Sequence, residues 1–286
     1  MEDVAANFID AGIDVWNKLI EFSLSLLQLT PETYNTNVWE IVGKINDRIF
    51  VPVASVLIVY FFLIGFFENT TDIHRAFRAE TVFVSLVKIS FANGLVSLNL
   101  PIVKAIFNVG ANLVTAIISI TGGPNGATQM KSDEMIAYIR SSGTFAGLGY
   151  LALHLIVVPV ICVMAVMIFY TVLIRMVKII CVIPYGSIAF ATTAGGSSIG
   201  ASRTAFVKYI ICCAGEASFI LIALIVGTVI TNNGGLGLTK VFNINTTSGW
   251  NFSAVFFTEL ELIITCVVVV GIVKSGQSIL QKALNL

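Results

Sequence analysis

Charge is what this sequence most lacks. Asp, Glu, Lys and Arg make up 11% of the chain, where a soluble domain carries about a quarter. With 57% hydrophobic residues and a mean hydropathy of +0.93, an ordinary water-soluble domain is excluded. Histidine is scarce too. His74 and His154 are the whole supply, and no Cys-His spacing suits zinc, so neither a metal nor a cofactor is expected. The five cysteines, Cys162, Cys181, Cys212, Cys213 and Cys266, all lie in apolar runs. They read as small hydrophobes rather than as a disulfide framework. Catalytic motifs are missing. GGSSIG at 195–200 lacks the lysine of a phosphate-binding loop, and neither GxSxG nor HExxH occurs, so the chain is not expected to be an enzyme. The N-terminus opens on Glu2 and Asp3 instead of a basic stretch, and no cleavable signal peptide is expected.

What is present is a series of apolar runs of membrane-crossing length. A helix needs about 20 apolar residues to cross a bilayer. Clear spans fall at roughly 49–67, 150–174, 209–230 and 254–273. Residues 81–120 are apolar but interrupted by Lys88, Asn93, Asn99, Pro101 and Lys104. They form either two spans with a tight turn at Ser97–Pro101, or one span plus a helix at the surface.

Two amphipathic helices precede the spans. In residues 3–28, Asp3, Asn7, Asp10, Asp14, Asn17, Lys18 and Glu21 recur mostly at steps of three or four, with Ile9, Ile13, Trp16 and Ile20 on other faces. This helix either lies in the interface or packs on a partner. Thr30-Pro31-Glu32 has the composition of a second helix start, with Thr30 as cap and Pro31 at the first position. The expected organisation is therefore residues 1–48 as an extracytoplasmic or interfacial helical segment and 49–286 as a transmembrane helical domain.

Lys and Arg bias sets the orientation. Arg175, Lys178, Arg203 and Lys208 cluster in 175–208 with no acid among them, while residues 1–48 hold eight acids and three bases. The basic loop, loop 68–80 and the tail are thus expected inside, the N-terminus outside. These agree only if 81–120 crosses once. The expectation is an all-α polytopic membrane protein with about five transmembrane helices, N-terminus out and C-terminus in.

Ionisable groups at membrane depth are costly and are the first functional candidates. Glu216 is read as a conduit or gating carboxylate, with pairing to Lys208 or a neighbouring helix as the plainer alternative. Lys88 either contacts a charged partner or snorkels. Glu259 and Glu261 either line a conduit or form a solvated helix end, and His154 reads as a satisfied intramembrane histidine. Pro184 and the glycines Gly195 and Gly196 allow an irregular backbone between the basic residues, tolerated at membrane depth only within protein or beside water. Gly143 and Gly147 make a GxxxG, a weak packing signal.

Two stretches carry a resemblance. LTPETYN and NVWEIVGKIND within 29–47, then IRMVKIICVIPYGSIAFATTAGGSSIGASRTAFVKYI at 174–210, resemble the TrbL-type polytopic membrane subunit of conjugative type IV secretion machines, in the version carried on Gram-positive mobile elements. The matching positions are Arg175, Lys178, Pro184, Ala189, Gly195, Gly196, Phe206 and Lys208. The resemblance implies an inner-membrane channel or scaffold subunit that is homo-oligomeric and surrounded by lipid. It would work with other secretion subunits and separate ATPases, in transient contact with single-stranded DNA moving with its relaxase. The alternatives are a small-solute secondary transporter or ion channel, and a structural membrane anchor without a conduit. Half-to-half repeats, which a transporter would favour, are not evident.

Overall fold

The computed structural model describes residues 1–69, 79–121, 128–131, 133–195, 200–232, 236–242 and 251–283. Arg75, Arg78 and Gly196 lie outside these residues. Among the described residues the structure is helical, without strands. The helices are α1 (Glu2–Leu27), α2 (Pro31–Tyr34), α3 (Thr36–Ile45), α4 (Val51–Asn69), α5 (Ala79–Ser97), α6 (Asn99–Ile120), α7 (Asp133–Ser141), α8 (Thr144–Val182), α9 (Tyr185–Ala191), α10 (Ala201–Asn232), α11 (Leu238–Val241) and α12 (Phe252–Ala283).

Five helical stretches are long and apolar enough to cross a membrane: Thr36–Phe67, Asn99–Ile120, Thr144–Val182, Ala201–Asn232 and Phe252–Ala283. The expected number of spans is thus present. In the ambiguous region α5 ends at Ser97 and α6 begins at Asn99, with Leu98 in a turn between them. Leu98 donates to the Gly94 carbonyl and Ile102 to that of Leu98, each at 3.0 Å, closing α5 and opening α6. Pro101 sits in the first turn of α6, where a missing N–H costs little.

Local chemistry explains the breaks. Thr30 and Thr33 form a reciprocal capping box at the start of α2, with Pro31 in the first position. The expected second helix is interrupted sooner than the pattern suggested, because Asn35 is extended and its Oδ1 accepts from Val38 N at 3.1 Å, restarting the chain as α3. A π-helical turn, Asn46–Phe50, joins α3 to α4. It sits just ahead of Pro52, whose absent N–H cannot continue an ordinary ladder. Helix α8 stops at Val182, one residue before the residue preceding Pro184.

The chain divides into two compact units. The first comprises Met1–Gln28, Leu113–Leu173 and Ala217–Gly276. In it α1 runs parallel to α8. A Cβ on Gly147 would meet Glu2 N at 2.6 Å, a Cβ on Gly12 would meet Val158 at 2.8 Å, and the Phe22 and Phe169 rings lie 5.4 Å apart. The apolar face of α1, with Ile9, Trp16, Ile20 and Leu24 almost fully buried, is therefore packed within its own chain, while Asp3, Asp10, Asp14, Lys18 and Glu21 stay exposed. On that face Lys18 lies 2.7 Å from Asp14, and the hydrogen bond to this carboxylate, aided by its charge, raises the Lys18 pKa above its ordinary value. Of the GxxxG pair, Gly147 makes a close backbone contact and Gly143 makes none within 4 Å. Residues 128–131 are held by side-chain amides: Asn17 bonds both N and O of Met130, and Asn232 bonds Gln129 O and Lys131 N.

The second unit comprises Leu29–Asn112, Ile174–Glu216 and Gln277–Leu286. Helices α4 and α5 pack together, and α9 packs on both. Their shared core is Ala54, Ile58, Ala92, Val96, Phe190, Ala191 and Ala194. A second core joins Val42 of α3, Val103 and Phe107 of α6, Ile179 of α8, Ile183 just beyond it, and Ile210 and Ala214 of α10. Lipid is as apolar as these side chains, so close packing rather than hydrophobic transfer holds such helices together. Gly110 illustrates it, since a Cβ there would lie 3.0 Å from the Ala214 carbonyl oxygen. The outer faces of α4 and α5 remain apolar and exposed, with Val53, Val56, Val59, Leu63, Phe83, Leu86 and Phe91 on them.

Candidate functional site: buried polar centres

Among the described residues, three buried centres hold charged or amide side chains. Each resolves a problem that the sequence poses but does not answer.

The first, in the second unit, is built on Arg175. The side chain is 5% exposed. Its Nε and Nη2 donate to the Cys213 carbonyl of α10 at 3.1 and 2.8 Å. Glu216, one helical turn further along α10, brings Oε2 to 3.9 Å from Nε and is 7% exposed. The Arg175 Nη1 is buried and has no hydrogen-bond partner. Arg175 is thus an internal cross-link between α8 and α10. The pairing seen for Glu216 is with Arg175, a residue of a different helix. Lys178 and Lys208 are exposed and Arg203 is half-buried, so the four basic residues of this segment occupy different environments.

The second centre occupies the break at Pro184. Asn99 Nδ2 donates towards Ile183 O at 3.0 Å, Asn46 Oδ1 at 3.1 Å and Ser187 Oγ at 3.2 Å, and Ser187 Oγ donates to Asn46 Oδ1 at 2.7 Å. All three side chains are buried. The irregular backbone expected around Pro184 is therefore internal, with α9 clasped against the helices behind it. Gly186 is required here: a Cβ would collide with Asn99 Oδ1 and would meet the Phe206 ring at 2.6 Å. Sequence reasoning saw Asn99 only as an interruption of an apolar run. That polarity was itself the available signal, since a buried amide needs partners. Gly195 is half-buried at the end of a 3₁₀ turn, Thr192–Ala194.

The third centre, in the first unit, pairs α8 with α12. His154 Nε2 lies 2.6 Å from Glu259 Oε1, and His154 Nδ1 lies 2.9 Å from the Ala5 carbonyl of α1. His154 is fully buried and Glu259 is 1% exposed. Glu261 is 5% exposed. Neither carboxylate is a solvated helix end, because α12 begins at Phe252 and both sit well within it. His154 gains here the acidic neighbour that its surrounding sequence lacks. Lys88, by contrast, is exposed on α5.

These centres bind helices to one another. Among the described residues, no three His, Cys, Asp or Glu side chains gather in a way that could hold a metal ion.

Comparison with known proteins is one-sided. No curated protein matches the chain, and no solved structure does. A family model does, over residues 17–187, which reach from the middle of α1 to Ser187 and include Asn46, Asn99, His154, Arg175, Lys178 and Pro184 but neither Glu216 nor Glu259. That match spans more than half of an all-helical, multi-pass membrane chain, and the chain belongs to the family described as TrbL/VirB6 plasmid conjugal transfer like protein.

Proposed function

We propose that this protein is a channel or scaffold subunit of a conjugative type IV secretion machine. In this reading it sits in the cytoplasmic membrane, N-terminus out and C-terminus in, and helps move single-stranded DNA with its relaxase. Family membership makes it a conjugation component that associates with other secretion subunits. The observation that carries the finer reading is the contrast between outside and inside. The outer faces of α4 and α5 are largely apolar, with Lys88 exposed on α5, and are suited to lipid or to a second copy, while Arg, Glu, His and Asn side chains are buried as helix-to-helix cross-links. Such a molecule is stable in a bilayer, and in this reading the energy for transport comes from separate ATPases.

The test is deletion of the gene from its mobile element, scored by DNA transfer to recipients and by crosslinking of the transferring strand to this protein. Lost transfer with a DNA crosslink supports a conduit role. Lost transfer without a crosslink supports a scaffold. Normal transfer removes the proposal.

A further inference from the structure

We propose that His154 and Glu259 form a buried proton-binding site whose single proton fastens α1 to its unit. The argument is one of hydrogen counting. A main-chain carbonyl can only accept, so the 2.9 Å contact with Ala5 O requires a hydrogen on His154 Nδ1. A neutral imidazole of that tautomer presents a lone pair at Nε2. An ionised carboxylate presents only lone pairs as well. At 2.6 Å two acceptors repel, so one proton lies between Nε2 and Oε1. It resides either on nitrogen, as imidazolium with carboxylate, or on oxygen, as imidazole with carboxylic acid. The pair is neutral in both forms.

Without that proton the site would hold a net negative charge away from water, since the two side chains are 0% and 1% exposed. Among the described residues no lysine or arginine is paired with it. Glu259 Oε2 is buried without a hydrogen-bond partner. The charged side chains of α1 (Asp3, Asp10, Asp14, Lys18 and Glu21) lie on its exposed face, and Glu2 is half-buried at its start. Helix α7 contributes Tyr138 and an exposed Arg140 that bonds Asn7. Helix α8 contributes Tyr150, within electrostatic reach of Glu259, and α12 contributes Glu261. Residues 217–232 of α10 carry no titratable side chain. The proton is the compensating charge, and the ring it completes reaches the α1 backbone. Binding of the proton and docking of α1 are therefore linked.

The test uses the full-length chain reconstituted in lipid. Ile9→Cys on the buried face of α1 (0% exposed) and Val15→Cys on its outer face (41% exposed) are each labelled with a maleimide across pH and read by mass spectrometry. Their ratio cancels the reagent's own pH dependence. In the wild-type background the ratio should be low in mildly acidic medium. It should rise roughly tenfold or more as the medium is made alkaline, the scale on which losing a charge-assisted hydrogen bond shifts a local opening. Glu259→Ala removes the carboxylate that needs the proton while leaving the Nδ1 hydrogen for the Ala5 carbonyl, so its ratio should no longer change with pH. Glu259→Gln should give the low ratio at every pH, because its amide N–H supplies the hydrogen permanently. A wild-type ratio that does not change with pH overturns the proposal, as does a Glu259→Gln or Glu259→Ala ratio that still rises as the medium is made alkaline.

Discussion

The Asn99 side-chain amide donates to the Ile183 carbonyl at 3.0 Å, at the point where Pro184 ends the long helix α8. A proline break leaves main-chain groups without helical partners, and in an apolar setting each such group must find another. Here the partner comes from the first residue of α6, together with Asn46 and Ser187.

Asn99→Leu should therefore destabilise the second unit. It removes the donor shared by three buried acceptors, at about 1–3 kcal/mol for each one left unsatisfied. Gly186→Ala should do so by a different route, since its Cβ collides with Asn99 and Phe206, an overpacking cost of about 1–3 kcal/mol. Thermal unfolding in detergent, followed by loss of monodisperse protein, should place both below wild type. Asn99→Leu and Gly186→Ala together should cost less than the sum, because they disturb one contact.

Arg175 and Glu216 give an ordered series. Arg175→Met strands a buried carboxylate and should cost about 3–5 kcal/mol. Arg175→Met with Glu216→Gln should recover part of that loss. Glu216→Ala is expected to reduce DNA transfer while the protein still reaches the membrane. Transfer at the wild-type rate by an assembled Glu216→Ala protein would rule out a role for this carboxylate in the machine.

Glycine contacts separate packing from propensity. Gly110→Ala places a methyl 3.0 Å from the Ala214 carbonyl oxygen, a main-chain atom that cannot rotate away, so the helices must part. Gly94→Ala meets nothing within 4 Å and should be neutral or stabilising by about 0.5–1 kcal/mol, from helix propensity alone. Opposite shifts of the two unfolding temperatures are the expected result.

Orientation is open to labelling in whole cells. A cysteine replacing Lys131, which is exposed, should react with an impermeant maleimide added outside. One replacing Ala201, exposed at the start of α10, should react only after the membrane is opened. The reverse pattern would mean that the charge bias does not set the topology of this chain.

Several features were legible from the residues alone. Apolar runs of the right length located the spans, because bilayer thickness is a fixed ruler. Thr30-Pro31 announced a helix start and Pro184 a break, because capping and the missing proline N–H act within a few residues. The polar stripe of α1 was visible as spacing, but its partner was not. Whether the other face meets lipid, another protein or its own chain is decided by residues more than a hundred positions away, such as Met130, Arg140 and His154.

The sequence by itself thus determined that this is a helical membrane protein, where most of its helices lie, and which family its first two-thirds resemble, since these depend on composition, local stereochemistry and order. Only the tertiary structure decided what the scarce polar groups do. Glu259 meets His154 across 105 positions, Asn99 meets Ile183 across 84, and Arg175 finds the Cys213 carbonyl across 38. In an apolar interior a charge or amide must be satisfied by whatever lies beside it, and proximity of that kind is a property of packing that no local pattern encodes.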